Sequence, residues 1–259
     1  MITIISPTTT MNFDKNIRLN KQSIPIFKDD IDYLIKLLKS LKKEELSNLM
    51  NLSEDLTILN HNRHKNLSTK NNPKCESILA FDGEVFNCMK IYEFTHEDFD
   101  FANGNIRILS GLYGILKPFD LIEPYRLEMK SKLVNNRGDD LYKFWKDKIT
   151  QNIMNELSTH KNKILINLAS SEYLKCIDLK SIKKDYTFID INFKEYNSSK
   201  DTYQTKGLYA KRARGYMTSF IIRNKIDKIS DLKSLILMVI VLMKICQMII
   251  SLYLLDSIF

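Results

Sequence analysis

The stretch LSGLYGILKP at residues 109–118 places Gly111 and Gly114 three positions apart among apolar side chains. Glycine permits backbone conformations and close approaches that a Cβ atom would block, so this spacing predicts a tight hairpin. The hairpin has two interpretations: its backbone packs closely against other backbone, or its N–H groups contact a DNA phosphate, as in helix-hairpin-helix modules. In the second interpretation Tyr113 and Lys117 join the two glycines as DNA-binding residues. The spacing alone does not separate the two.

Strand and helix patterns alternate on both sides of this hairpin without a regular βαβ period. Short apolar runs predict strands, and apolar residues at helical spacing predict helices. The predicted strands cover residues 1–5, 78–81, 106–109, 164–168, 186–193 and 208–211, and the predicted helices cover 29–43, 54–59, 141–157 and 220–226. Ser53 and the acidic residues after it predict an N-cap for the second helix. No internal repeat or Pro/Ser-rich linker interrupts the pattern, so the sequence predicts a single mixed α/β (α+β) domain.

The composition favours a basic, cytoplasmic protein. The chain of 259 residues carries 39 Lys and Arg against 31 Asp and Glu, a net charge of +8. This balance favours polyanionic partners such as DNA, RNA or anionic lipid, although the lysine usage of an AT-rich genome produces the same balance. The four cysteines lack the paired spacing of a zinc or redox motif, so no metal site and no cofactor is predicted. Scattered cysteines and a first segment unlike a signal peptide favour the cytoplasm.

Hydroxyl side chains follow the first predicted strand in the run SPTTT at residues 6–10. Hydroxyls placed directly after a strand hold a phosphate in some proteins. In others they form an ordinary turn rich in Ser and Thr. Ser6 and Thr10 are therefore candidate phosphate-binding residues, with a plain turn as the alternative.

Cationic side chains stand out in two segments. In EPYRLEM at residues 123–129, Arg126 lies between two carboxylates, where it is either a phosphate clamp or one half of a structural ion pair. In KRARG, Lys211, Arg212 and Arg214 form the densest basic cluster of the chain, predicted to lie between a strand and a helix. Such a cluster either neutralises phosphates or is simply solvated. No catalytic motif is recognised in the chain, so no catalytic residue is predicted.

Seven sequence motifs, in order along the chain, resemble those of the YaaA peroxide stress-resistance family. Where the family has Ser-Pro-Ala-Lys-Thr after its first strand, this chain has SPTTT. The other matching motifs are LAFDGEVF at 79–86, LSGLYGILKPFDL at 109–121, PYRLEM at 124–129, LYKFW at 141–145, NLAS at 167–170 and KRARG at 211–215. The resemblance extends from residue 1 to about residue 233.

The resemblance implies a single α/β domain of unusual topology, with a positively charged cleft and a helix-hairpin-helix-like element. It implies a cytoplasmic protein that binds duplex or branched DNA without sequence specificity and protects against hydrogen peroxide, in connection with limiting free iron and oxidative damage. No enzymatic activity, cofactor or obligate protein partner is implied. The DNA- or phosphate-binding residues expected are Ser6, Thr10, Gly111, Tyr113, Gly114, Lys117, Arg126, Lys211, Arg212 and Arg214. The alternative hypothesis is an enzyme that handles a phosphate or a nucleotide with the loop from Ser6 to Thr10 and with Arg126.

Two features depart from the family pattern. Thr9 stands where the family has lysine, which removes one cation from the expected cleft. The tail at residues 234–259 is also unlike the family: Leu235 to Leu255 are nearly all apolar, and this length qualifies as a candidate membrane span. With AT-rich codons, a shift of the reading frame by one base would give the polar and aromatic ending that the family has. We interpret the tail as frameshifted, and a membrane is an expected partner only if the tail is genuine.

Overall fold

A central sheet of largely apolar strands organises the protein. The computed structural model describes residues 1–197, 201–205, 207–228, 230–231 and 248–254. Within these residues the strands are β1 (Ile2–Ile5), β2 (Cys75–Glu76), β3 (Ile106–Ser110), β4 (Gly114–Leu116), β5 (Leu121–Ile122), β6 (Ile164–Asn167), β7 (Thr187–Asn197), β8 (Thr202–Gln204) and β9 (Met248–Leu254). β2 and β5 form a separate pair, and the others form one sheet. β1, β3 and β6 are buried at every residue, as is usual for parallel strands that are covered on both faces.

The middle of the sheet is parallel. β1 lies between β3 and β6, and β6 pairs with β7, so the parallel core has the order β3-β1-β6-β7. β4 pairs antiparallel with β3, while β8 and β9 pair antiparallel with β7. The chain passes from β1 to β3 on one side and later to β6 on the other side. The carboxyl ends of β1 and β6 are therefore a topological switch point, which is where ligands bind in open α/β sheets.

Helices fill the connections between these strands. In the described residues they are α1 (Lys28–Ser40), α2 (Lys43–Met50), α3 (Glu54–Asn66), α4 (Ser77–Ala80), α5 (Glu84–Met89), α6 (His96–Asn105), α7 (Leu141–Thr159), α8 (Ser171–Leu174), α9 (Leu179–Asp185) and α10 (Gly207–Arg223). The prediction of a single mixed α/β domain is confirmed. Ser53 caps α3 as predicted, with its hydroxyl accepting a hydrogen bond from the backbone N–H of Leu56 at 3.5 Å. The predicted helix at 29–43 is divided in two, because α1 ends at Ser40.

Two predicted strands are wrong, because both segments are helical. Residues 78–81 form most of α4 and the residue after it, and a short apolar run does not distinguish a buried strand from a buried helix. Residues 208–211 lie in the first turn of α10. The buried side chains of α10, among them Ala210, Ala213, Met217 and Ile221, continue the helical spacing far beyond the four-residue window that suggested a strand.

The 111–114 hairpin joins two strands, not two helices, so the expectation of a helix-hairpin-helix element at this position is wrong. Ser110 of β3 pairs with Gly114 of β4, and the turn between them is buried. The backbone N–H of Tyr113 donates to the Ser110 hydroxyl at 3.0 Å, and the Gly111 carbonyl accepts from Trp145 Nε1 at 2.8 Å. The prediction of a tight turn with a close backbone approach is correct, since a Cβ at Gly111 would lie 2.2 Å from the carbonyl oxygen of Leu127.

The apolar tail is described only in part. Most of the stretch from 235 to 255 lies outside the described residues. Within it, Met248–Leu254 form β9, which pairs antiparallel with β7 along seven residue pairs. No helix in the described part of the chain has the length and apolar character that crossing a membrane requires. The frameshift interpretation of residues 234–259 stays a prediction, which the nucleotide sequence would test.

Candidate anion-binding cleft

A cleft of about 540 Å³ opens at the carboxyl ends of β1 and β6. The loop 6–10 comes directly after β1, and Ser170 and Glu172 come shortly after β6. The remaining walls are the start of α5, the irregular segment at 126–128 and the first half of α10. The strand order therefore places the 6–10 loop, near the start of the chain, beside segments that are far later in the sequence, such as α10.

Two serines connect the loops that follow β1 and β6. The Ser6 hydroxyl accepts a hydrogen bond from the Ser170 backbone N–H at 2.8 Å and donates to the Ser170 hydroxyl at 3.2 Å. Because Ser170 Oγ accepts this bond, its own O–H remains available as a donor, with no acceptor for it among the described residues. This pair fixes the two loops to each other across the switch point.

The threonines of the 6–10 loop form one wall of the cleft. Thr8 packs against the start of α5, where a Cβ on Gly83 would lie 2.3 Å from the Thr8 hydroxyl oxygen. The Thr10 backbone N–H lies 3.4 Å from the same oxygen, so the loop turns back on itself. Thr9 and Thr10 are exposed. A longer side chain at position 9 therefore has space to reach into the cleft.

Arg126 is held from behind by a buried histidine of α3. The ring Nε2 of His64 lies 2.9 Å from the Arg126 carbonyl oxygen, and a neutral ring donates this bond through Nε2–H. The Arg126 guanidinium pairs with Glu128 at 2.9 Å, while its buried Nε–H has no acceptor among the described residues. The other flanking carboxylate, Glu123, instead accepts from the Ser68 backbone N–H at 2.8 Å. The ion pair that the sequence suggested is present, with one of the two carboxylates.

Lys211 and Arg214 reach the cleft from α10. They lie three residues apart in α10 and so share one face of the helix. Lys211 is exposed, whereas Arg214 is half-buried, and burial lowers the pKa of its guanidinium while Asp190 opposes the shift. Arg212 lies off this face and pairs with Glu84 at the rim, with 2.9 Å between Nε and Oε2.

Acidic side chains also line the cleft, and each of them has a cationic partner. Asp82 pairs with Lys15 at 3.1 Å, Glu84 with Arg212 at 2.9 Å, Glu128 with Arg126 at 2.9 Å and Lys130 at 3.0 Å, and Glu172 with Lys130 at 3.9 Å. Lys211 and Arg214, in contrast, have no carboxylate partner among the described residues. Four carboxylates and three cations line the cleft, and Lys15, Lys130 and Arg212 balance the carboxylates from outside it. Lys211 and Arg214 are therefore surplus positive charge, which Asp190 offsets in part at Arg214.

Glu128 and Glu172 have pKa values shifted in opposite directions. Burial acts to raise the pKa of Glu128, but hydrogen bonds from Lys130 and Arg126 outweigh it and hold that pKa below the ordinary value. For Glu172 burial prevails and raises the pKa, with Lys130 opposing the shift and the charge of Glu128 adding to it. Glu172 thus takes up a proton more readily than Glu128. No group of three or more His, Cys, Asp or Glu side chains in the described ranges is placed to hold a metal ion.

The structure brings half of the expected site residues into this cleft. Those that line it are Ser6, Thr10, Arg126, Lys211 and Arg214. Arg212 lies at the rim. Gly111, Tyr113 and Gly114 are buried in the hairpin, where no DNA phosphate can reach them without rearrangement, and Lys117 is exposed but does not line the cleft.

Sequence reasoning missed several side chains that build the cleft. Ser170 lies in a matched motif directly after a predicted strand, and the rule that parallel strands end at one edge could have placed it beside Ser6. Glu128 and Glu172 both pair with Lys130, and no local sequence pattern predicts that Glu172 lies near the other two. His64 lies in a polar stretch with no apolar spacing to indicate that its ring is buried.

The fold and the cleft define a class: an α/β protein with a doubly wound parallel core and, at its switch point, a cleft lined by both cations and carboxylates. Sequence comparison then gives the family. The family model described as peroxide stress protein YaaA matches residues 1–238, and the chain belongs to this family. The resemblance inferred from the seven motifs is confirmed, and the match includes the first residues of the 234–259 tail.

Relatives that are called UPF0246 proteins support the same assignment. The relative from Crocosphaera subtropica is 42% identical over 233 residues, which cover 90% of this chain and 91% of the relative. The relative from Clostridium beijerinckii is 43% identical over 234 residues, covering 90% and 89%. The relative from Saccharophagus degradans is 40% identical over 237 residues, covering 90% and 91%.

Proposed function

We propose that this protein binds DNA without reading its sequence, as part of the protection of the cytoplasm against peroxide stress. The observation that carries the proposal is the surplus charge of Lys211 and Arg214 at the switch point. Contacts from Lys and Arg to phosphate oxygens position a protein on DNA but carry no sequence information. The peroxide part of this role follows the name of the family. The further proposal that the protein limits oxidative damage in connection with a low level of free iron rests on the resemblance of the motifs alone.

Lys211→Ala is expected to weaken DNA binding and to lower its salt dependence. Each phosphate contact that is lost reduces the slope of log K against log salt by about 0.9 on duplex DNA. The measurement is a DNA-binding titration of the full chain at several salt concentrations. It uses duplexes of equal length and unrelated sequence. Equal affinities for those sequences are expected, because no base contact is proposed.

Lys117→Ala is the matched control. It removes the same charge from an exposed position that does not line the cleft. If the hairpin were the DNA contact, Lys117→Ala would weaken binding and Lys211→Ala would not. That pattern would contradict the proposed cleft, as would equal losses in both variants.

Thr9→Lys is expected to strengthen DNA binding. Thr9 is exposed and lines the cleft, so a lysine there adds a cation beside Lys211 and Arg214. One added phosphate contact steepens the salt dependence by about one unit of slope. The same titration measures it, and Thr9→Gln is a control of similar length without charge. An unchanged slope in Thr9→Lys would show that position 9 does not face the phosphates.

A second candidate is an enzyme that acts on a phosphate ester or a nucleotide, with the 6–10 loop and Arg126 holding the phosphate. The observation that favours it is the pair of Glu128 and Glu172, because carboxylates with oppositely shifted pKa values in one site are typical of acid–base catalysis. Turnover of a nucleotide, lost in Arg126→Ala, would support the enzyme. DNA binding without any turnover would favour the first proposal.

A further inference from the structure

We infer that the cleft is a pocket for one nucleoside monophosphate, with the phosphate against Arg214 and Lys211 and the sugar and base toward Glu128 and Glu172. This ligand is far smaller than DNA, and its binding does not require the DNA binding proposed above. The pocket would accept a free nucleotide or the terminal nucleotide of a strand, since both present the same phosphate monoester.

The size of the cleft favours a single nucleotide. A volume of about 540 Å³ falls within the range of roughly 300–1,000 Å³ that is usual for small-molecule pockets. A DNA duplex, whose major groove alone is about 12 Å wide, cannot enter such a space. A duplex would contact Lys211 at the exposed mouth of the cleft and would be attracted by the charge of Arg214 from outside, which leaves the inner wall for a smaller ligand.

The cationic end of the cleft is suited to a phosphate. Arg214 is half-buried with no carboxylate partner, and its buried Nε–H has no acceptor in the described part of the chain. Asp190 offsets part of the Arg214 charge, but the buried Nε–H remains an unpaired donor, whose cost an anion beside the guanidinium would offset. Lys211 lies on the same helix face, and the free O–H of Ser170 adds a neutral donor. Arginine and hydroxyl donors together are the usual ligands of phosphate oxygens.

The carboxylates of the cleft favour a ligand that also carries hydrogen-bond donors. Glu128 and Glu172 line the same cleft, and each is paired with a cation, so they offer acceptor oxygens to a ligand more than net negative charge. They accept hydrogen bonds, which the hydroxyl of a sugar and the amino group of a base donate. A ligand with one phosphate and several hydrogen-bond donors matches this mixed lining of cations and carboxylates, and a nucleoside monophosphate has that chemistry. Arg126 and Glu128 also line a neighbouring cleft of about 680 Å³, so the donor-bearing end has space to extend.

The experiment is a calorimetric titration of the full chain with deoxyadenosine 5′-monophosphate, inorganic phosphate and deoxyadenosine. We expect the monophosphate to bind at least about tenfold more tightly than either fragment, because only the whole ligand contacts both ends of the cleft. Arg214→Gln is expected to weaken monophosphate binding about tenfold or more. Glu172→Gln is expected to weaken binding of the monophosphate but not of inorganic phosphate. Lys117→Ala is the control with no expected change.

Each outcome decides the inference. Phosphate binding as tightly as the monophosphate, or unchanged monophosphate binding in a folded Arg214→Gln protein, would overturn it. Lys211→Ala, at an exposed position, is the second variant if thermal unfolding shows that Arg214→Gln does not fold. No monophosphate binding beside normal salt-dependent DNA binding would overturn this inference and leave the proposed function standing. Competition by a 5′-phosphorylated oligonucleotide, but not by its unphosphorylated form, would identify a strand end as the source of the ligand.

Discussion

Gly111→Ala is expected to destabilise the protein by about 2 to 4 kcal/mol, as overpacking of a rigid site does. A Cβ at this position would lie 2.2 Å from the carbonyl oxygen of Leu127 and 3.0 Å from its carbonyl carbon. Both contacts are with backbone, so no side-chain rotation relieves them. The Gly111 backbone cannot retreat freely, because its carbonyl is bonded to the buried Trp145. Urea unfolding at neutral pH measures the loss.

Gly104→Ala is the matched control for this substitution. Gly104 lies near the end of α6, and a Cβ there meets nothing within 4 Å. Alanine is favoured over glycine in helices by about 0.5–1 kcal/mol, so the control is expected to be neutral or slightly more stable. If Gly111→Ala were as stable as the parent protein and bound DNA less well, the hairpin would be a DNA contact after all.

The hairpin shows what a local motif can and cannot predict. The spacing of Gly111 and Gly114 correctly predicts a tight turn and a close backbone approach, because both depend on neighbours within a few residues. The partner of the approach, Leu127, lies in another motif, and nothing local identifies it. The predicted DNA contact required a helix on each side of the hairpin. The residues just before Gly111, however, form the largely apolar run that is typical of a buried strand. That flanking pattern was the better guide.

The strands of the parallel core could be predicted because β1 and β6 are apolar runs and β3 and β7 are rich in isoleucine and phenylalanine, whereas the short segments at 78–81 and 208–211 could not. Four residues in a row do not reveal a period, and 208–211 continue into a helix whose buried face is recognisable only over four turns. This error concealed part of the site. With the strand predicted to end at residue 211, nothing fixed the direction of Arg214 relative to Lys211, and only the helix places them on one face.

Several residues of the cleft could be proposed from the sequence, but the sequence could not predict that they lie close together. The sequence suggested Ser6, Arg126 and Arg214 as separate candidates. Each had an alternative without function: a plain turn, a structural ion pair and a solvated cluster of charges. Their proximity follows from the order of the parallel strands, which places the loops after β1 and β6 side by side. The ionic partners that neutralise the acids, such as Lys130 between Glu128 and Glu172, depend on the same tertiary arrangement. The surplus charge of the cleft therefore could not be derived from net charge alone.

Acidification is expected to weaken the fold through His64. The pKa of His64 is lowered to about 4 from an ordinary value of 6.5, mainly because the ring is buried. The hydrogen bond to Arg126 opposes this shift, and the charges of His61 and Arg63 add to it. Between pH 6.5 and 4 the unfolded chain binds a proton on this ring while the folded chain does not. Stability from this residue is therefore complete above pH 6.5 and is lost as the pH falls, by about 2 to 3 kcal/mol at pH 4.5.

His64→Gln tests this expectation, because glutamine retains a donor for the Arg126 carbonyl and does not titrate. Urea unfolding at pH 7 and pH 4.5 should show a smaller loss of stability in His64→Gln than in the parent protein. His61→Gln, one turn earlier on α3 and less buried, is the control and should lose nearly as much as the parent, because the charge of His61 is a smaller cause of the His64 shift than burial. Protonation of carboxylates elsewhere affects all three proteins alike, so the difference between them isolates the ring. An equal acid loss in parent and His64→Gln would show that this ring does not control the stability of the cleft.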